Sequence, residues 1–210
     1  MIGDCQRDGN VFMFMGLAGR KAGIVKALAT SLHKNLPTAT ASAVLKAYGI
    51  DATVDEDEAL KLIIDLATDI AYVAPALAYA RSYPGKTYYY HFNEPNPWDG
   101  PLKGGSTHML VAAFLFQNFN EKMPPGAQQL APALAADFVK FANGVKPWTE
   151  FEKEVGQVRK YGPSDREVVG IAERNGWGSG RREALWKLSE EGWVDLDELS
   201  AAWDMFIASR

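Results

Sequence analysis

KTYYYHF, Lys86 to Phe92, is the stretch on which the fold turns. Its aromatic run, bounded by Pro84-Gly85 before it and Pro95 after it, predicts a β-strand. A second strand is expected near residues 1–6, where MIGDCQ leads into Arg7-Asp8-Gly9. A long helical insertion separates the two. Strand, helices, strand is how a right-handed parallel crossover is written. Two parallel strands alone make a poor sheet, because parallel sheets need neighbours and cover. The expectation is an α/β fold with few parallel strands and many covering helices, seen at the edge of a larger sheet. MIGDCQRDGNVFMFMG, Met1 to Gly16, reads as the last residues of a buried strand delivering a turn, with the first half of that strand cut off.

Helical spacing covers most of the rest. Lys21 to His33 and Ala39 to Tyr48 predict two helices, the second ended by Gly49. Asp55 to Leu66 opens on acidic residues, Glu56 and Asp57 among them, which suit a helix N-terminus. Leu62 to Gly85 is long, apolar and helical in period, with Pro75 marking a kink or break. NEPNPWDGPLKGG, residues 93–105, is a loop by every breaker signal. Met109 to Phe119 and Gln128 to Asn143 predict further helices, with Gly144 as the cap of the latter. Past Pro147-Trp148 the composition turns polar. Residues 149–210 read as a polar helical extension of the same domain, closing in two amphipathic helices, RREALWKLSEEGW and LDELSAAWDMFIA. Residues 1–210 are thus read as one partial domain.

Composition excludes several classes of function. A chain of 210 residues with 47% hydrophobic and 23% charged residues is an ordinary globular composition. A net charge of −4 with no Lys/Arg-rich run argues against nucleic-acid binding. The single cysteine, Cys5, rules out an internal disulfide and a cysteine-based zinc site. His33, His91 and His108 have no i, i+4 spacing, so no metal is expected, and no cofactor motif is present. No leader-like stretch follows Met1, which gives a cytoplasmic location as the default if Met1 is the true start. No uncharged apolar stretch approaches the length of a bilayer span.

Reactive groups of α/β sheets emerge at the carboxyl ends of the strands. The first strand ends at Asp8, with Gly9 permitting a tight turn; the second is followed by the loop that ends at His108. Acid and then histidine, in that chain order, form the second and third parts of an acyl-transfer triad. On the residues alone other readings stay open. Asp-Gly is a common turn dipeptide, and a histidine after a glycine turn also suits a helix start. His91, inside the strand, and His33, near a helix end, read as structural or exposed.

GDCQRDGNVFMFMG, Gly3 to Gly16, resembles the segment of type-B carboxylesterases and cholinesterases in which a small polar stretch leads to an acid, a glycine and an aromatic. TYYYHFNEPNPW resembles the strand and loop before the family's histidine, and GGSTHMLVAAFLFQN the histidine segment itself. FANGVKPW, YGP at Tyr161 to Pro163 and GRREALWKL at Gly180 to Leu188 follow in order, the last similar to the fungal branch. The resemblance implies the C-terminal part of an α/β-hydrolase fold and an ester substrate. It makes Asp8 the triad acid and His108 the triad histidine and general base. Val111 departs from the pattern, since many relatives carry a carboxylate three residues after the histidine.

The family's nucleophile elbow, G-x-S-x-G, does not occur in this sequence: Ser106 is followed by Thr107 and His108, and in GWGSG Ser179 stands one position late. The glycine-rich oxyanion loop is missing too. Two readings follow. One is a serine-esterase fragment that holds acid and base, is inactive alone and needs an upstream serine-bearing segment. The other is a non-catalytic helical binding module on an esterase scaffold. Either way, the Asp8 and His108 side chains are expected within hydrogen-bond reach, and the open sheet edge is expected to favour self-association.

Overall fold

The computed structural model describes residues 1–152, 156–172 and 181–209. Among them are strands β1 (Ile2–Cys5), β2 (Tyr89–Phe92), β3 (Val158–Tyr161) and β4 (Val169–Ala172). The helices are α1 (Val11–Phe14), α2 (Ile24–Asn35), α3 (Thr38–Ala47), α4 (Glu56–Thr68), α5 (Ala74–Ser82), α6 (Leu110–Leu115), α7 (Pro125–Ala142), α8 (Arg181–Glu190) and α9 (Leu196–Ala208). The chain divides into two compact units, Met1–Asp8 with Ala76–Trp177, and Gly9–Pro75 with Gly178–Arg210.

The first unit holds the sheet, in the order β1-β2-β3-β4. β1 and β3 both run parallel to β2, and β4 is antiparallel to β3. The register sets Cys5 beside Phe92 and Phe92 beside Tyr161, so all three point to one face. On that face α6 contributes Leu110 and Phe114, and α7 contributes Ala127, Leu130, Ala131 and Leu134, closing a core around the three strand residues. The α7 positions recur at three and four residues, one stripe of a helix. Phe92 meets Phe114 edge-on at 5.2 Å, and Tyr90 meets Phe138 at 5.5 Å. Each fully buried Leu or Phe stabilises by roughly 1.5–3 kcal/mol. Gly3 must remain glycine, because a Cβ there would collide with the carbonyl and ring of Tyr90.

The second unit is helical. Leu28 and Leu32 of α2, Ile63 and Ala67 of α4, and Trp203 and Phe206 of α9 are buried in one core. Phe12 packs edge-on against Trp203 at 5.1 Å. Arg20 lies over the Phe206 ring at 4.8 Å and donates to the Phe206 and Ile207 carbonyls, two of the last acceptors of α9. The Asp55 carboxylate accepts the Asp57 and Glu58 amides at 3.0 Å, capping α4 where the acidic run predicts a helix start. Gly9, which follows Asp8, sits so close to α4 that a Cβ would lie 2.5 Å from the Ile64 carbonyl oxygen. Its amide donates to Thr68 Oγ1 at 2.9 Å.

α4 runs into α5 through a π-helical turn, Asp69–Val73. The expected break at Pro75 takes this form because proline has no N–H for the carbonyl four residues back and its ring crowds that carbonyl, so the preceding turn widens. The continuous run Glu56–Ser82 is 27 residues, long and apolar enough to cross a membrane by length and composition, and 61% of its most apolar window is buried inside the protein. That burial is how the core helix of a folded domain reads.

Two of the four strands differ from the sequence reading, which has strands only near 1–6 and 86–92. β3 and β4 lie in the segment read as polar and helical. β3 reads VRKY, and its charges hide its period: the Arg159 stem runs along the sheet while its guanidinium reaches Asp137 at 2.9 Å. β4 is four residues long with Gly170 inside it, too short for alternation to register.

Candidate active site

The parallel pairing does not stop at Cys5. Gln6 N–H donates to the Phe92 carbonyl at 3.0 Å and Arg7 N–H to that of Ser106 at 2.8 Å. Arg7 and Thr107 then form an isolated parallel bridge. The next residue on each side is Asp8 and His108, so the register itself brings acid and imidazole together. The 93–107 loop is pinned to allow this. Asn96 exchanges backbone bonds with Gly104 and Gly105 at 2.9 and 3.1 Å, and Ser106 Oγ donates to the Phe92 carbonyl at 2.8 Å. Gly104 sits at φ 78°, a conformation that glycine adopts without strain. Met109, at φ 66°, turns the chain straight from His108 into α6.

Asp8 is buried, and its two oxygens are differentiated. Oδ2 accepts the Cys5 amide at 2.7 Å, and Oδ1 lies 3.0 Å from His108 Nδ1. The expected contact between the two side chains is therefore made. With Nδ1 turned to the acid and 37% of the His108 side chain exposed, the ring is held by a carboxylate yet reachable from solvent. The hydrogen bond from Asp8, aided by its charge, raises the His108 pKa above 6.5, against the opposing effect of partial burial.

This sets the sign of the pH dependence. Because the folded pKa lies above the unfolded one, the stabilisation from the contact is fully present below about pH 6.5 and is lost as pH rises through the folded pKa. The expected outcome is a His108 imidazole midpoint above 6.5 by NMR, falling in Asp8→Asn. A midpoint that is the same in both proteins would show that the acid does not govern the ring.

The other candidates stand elsewhere. His91, read as structural or exposed, is buried. Its Nδ1 lies 2.7 Å from Asp4 Oδ1, and its Nε2 meets the Gln6 side-chain amide at 2.9 Å. Asp4 also accepts the Tyr89 hydroxyl at 2.7 Å. His33 is in the last turn of α2. The Ser106 hydroxyl is committed to Phe92, and Ser179 lies outside the described residues. Glu94, not singled out in the sequence, anchors the start of the loop: it is buried and accepts Ser164 N–H and Oγ–H at 2.7 and 2.6 Å. Burial pushes its carboxyl upward, and the Ser164 bonds oppose that. Among the described residues no three His, Cys, Asp or Glu side chains cluster to hold a metal.

No family model matches the chain, and neither does any curated protein. Solved structures do. A PNB esterase superposes with a TM-score of 0.56 at 19% identity, over 76% of this chain and 32% of that one. Another PNB esterase structure gives 0.57 at 19% identity, over 77% and 33%. A thermophilic PNB esterase gives 0.55 at 18% identity, over 76% and 33%. The fold is α/β-hydrolase-like. This chain spans about a third of the length of the esterases it matches.

Proposed function

We propose that this chain carries the acid–base half of a carboxylic-ester hydrolase of the type-B class, of the fungal kind that GRREALWKL resembles. Asp8 holds the imidazole in one orientation and stabilises its protonated form; His108 is the general base that takes the proton of a serine hydroxyl and returns it to the leaving alcohol. The observation that carries this reading is the 3.0 Å contact between a buried carboxylate and a solvent-reachable ring, set at adjacent strand ends by a parallel register. The serine and the oxyanion donors come from a segment outside this sequence. The test is ester turnover after an upstream segment bearing G-x-S-x-G is fused or co-expressed, with and without His108. No gain in turnover with a folded partner segment overturns the reading.

The second reading is a non-catalytic binding module. The absence of G-x-S-x-G and the separate helical core favour it. It predicts that no serine-bearing segment restores turnover. We infer also that the outer edge of β1, an end strand of the sheet, is where a further strand adds and where copies of the isolated chain pair. Sedimentation is expected to show dimers or larger species that dissociate on dilution; a monomer at all concentrations argues against it.

A further inference from the structure

We propose that Met109 determines specificity at the proposed ester site, its side chain contacting an apolar alkyl group on the alcohol side of the substrate. The proposal rests on the acid–base reading above. Met109 follows His108 directly and stands at φ 66° and ψ −5°, the left-handed conformation, as the residue before α6. The chain path imposes that conformation. Thr107 is still bridged to Arg7, yet its carbonyl already accepts the Leu110 amide at 3.1 Å, and the Met109 carbonyl accepts the Ala112 amide at 3.1 Å. Turning from a strand bridge into a helix over His108 and Met109 alone takes a positive φ at Met109. Glycine adopts such a φ freely, and a residue with a Cβ adopts it only under strain.

Packing does not offset that strain. The Met109 side chain is 64% exposed, while its neighbour Leu110 is buried in the core with Phe92 and Phe114. A lone exposed methionine is ordinary. One that is also held in a conformation suited to glycine, beside the candidate base, is the pattern of a residue kept for contact with a ligand. The chemistry says which part of the ligand. The histidine returns its proton to the oxygen of the leaving alcohol, so in that step the ring hydrogen-bonds to that oxygen. The carbon attached to the oxygen then lies nearest the ring, and the residue bonded to His108 serves the alcohol side of the ester. A methionine side chain is flexible, unbranched and apolar, and the matching substrate is an ester of an alkyl alcohol rather than of a charged or sugar-like one.

The test has two parts. In the chain alone, Met109→Gly and Met109→Asn replace the methionine with residue types that accept a positive φ, and at least one is expected to raise the denaturant midpoint. A midpoint that rises in neither would mean that methionine is held there for the fold, and overturns the proposal. In the full chain fused to a segment bearing G-x-S-x-G, both variants are expected to lower the kcat/KM ratio of hexyl acetate to methyl acetate about 10-fold. The ratio of p-nitrophenyl hexanoate to p-nitrophenyl acetate, which varies the acyl chain on one alcohol, is expected to stay at the wild-type value. Phe116, 68% exposed and roughly 10 Å further along α6, is the control, and Phe116→Ala is expected to leave both ratios unchanged. A change confined to the p-nitrophenyl series overturns the proposal. So does a uniform loss with every ester, which would make Met109 a contact with the serine-bearing segment. No turnover of any ester with a folded partner segment removes the acid–base reading and this proposal together. Turnover with both ratios unmoved removes this proposal alone.

Discussion

The isolated chain should not hydrolyse a p-nitrophenyl acyl ester above the background rate. On the proposed reading the nucleophilic serine and the oxyanion donors belong to another segment, so the chain alone forms no acyl-enzyme and leaves the charge of a tetrahedral intermediate unmet. Loss of the nucleophile from such triads costs on the order of 10⁶ in turnover, and loss of one oxyanion donor about 10²–10³. When a serine-bearing segment completes the site, turnover should appear and rise with pH through the raised His108 pKa, since only the neutral ring accepts a proton. In the completed site His108→Ala should remove about as much rate as loss of the serine, while Asp8→Ala should cost about 10⁴, because an orienting acid contributes less than the base. These effects are not additive, so the double variant should fall little below His108→Ala. Turnover by the chain alone, with a phosphonate adduct on Ser106 or Ser179, would overturn the assignment.

What could be read in the sequence was what local chemistry dictates. The start of α4 was legible at Asp55 because a cap and an acidic first turn are contiguous in the chain. Asp8 and His108 were offered by strand ends and chain order, and the resemblance to type-B carboxylesterases singled them out. The Asp4–His91 pair was not. Its members are 87 residues apart, and only the register that sets Asp4 beside His91 brings them together. β3 was hidden by Arg159 and Lys160, whose charges mimic a surface segment although their stems lie on a sheet.

Two Asp–His pairs stand among the described residues, and removing one member of each should have opposite consequences. Asp4 and His91 are side chains with 0% and 3% exposure, 2.7 Å apart. Asp4 also takes the Tyr89 hydroxyl, so its carboxylate is met by two donors from β2 across the β1-β2 pairing. Burial of a carboxylate is tolerated only while such donors remain, and removing one partner of a buried pair costs about 3–5 kcal/mol. His91→Ala should therefore unfold much of the population, as a large drop in denaturant midpoint with an unchanged slope. His91→Gln, which returns an amide donor toward Asp4, should recover part of the loss, as expected if the unmet carboxylate and not the lost ring volume dominates. His108→Ala is the contrast. Its ring is 37% exposed, so its removal opens Asp8 Oδ1 to water while Oδ2 keeps the Cys5 amide, and stability should fall much less than in His91→Ala while the reconstituted turnover collapses. The cause is the same in both cases. Closing water out of the Asp4–His91 pair makes it a fastening between strands, and leaving a third of His108 open keeps that ring reachable from solvent, as the proposed role requires. Equal stability losses from His91→Ala and His108→Ala would contradict this division of roles.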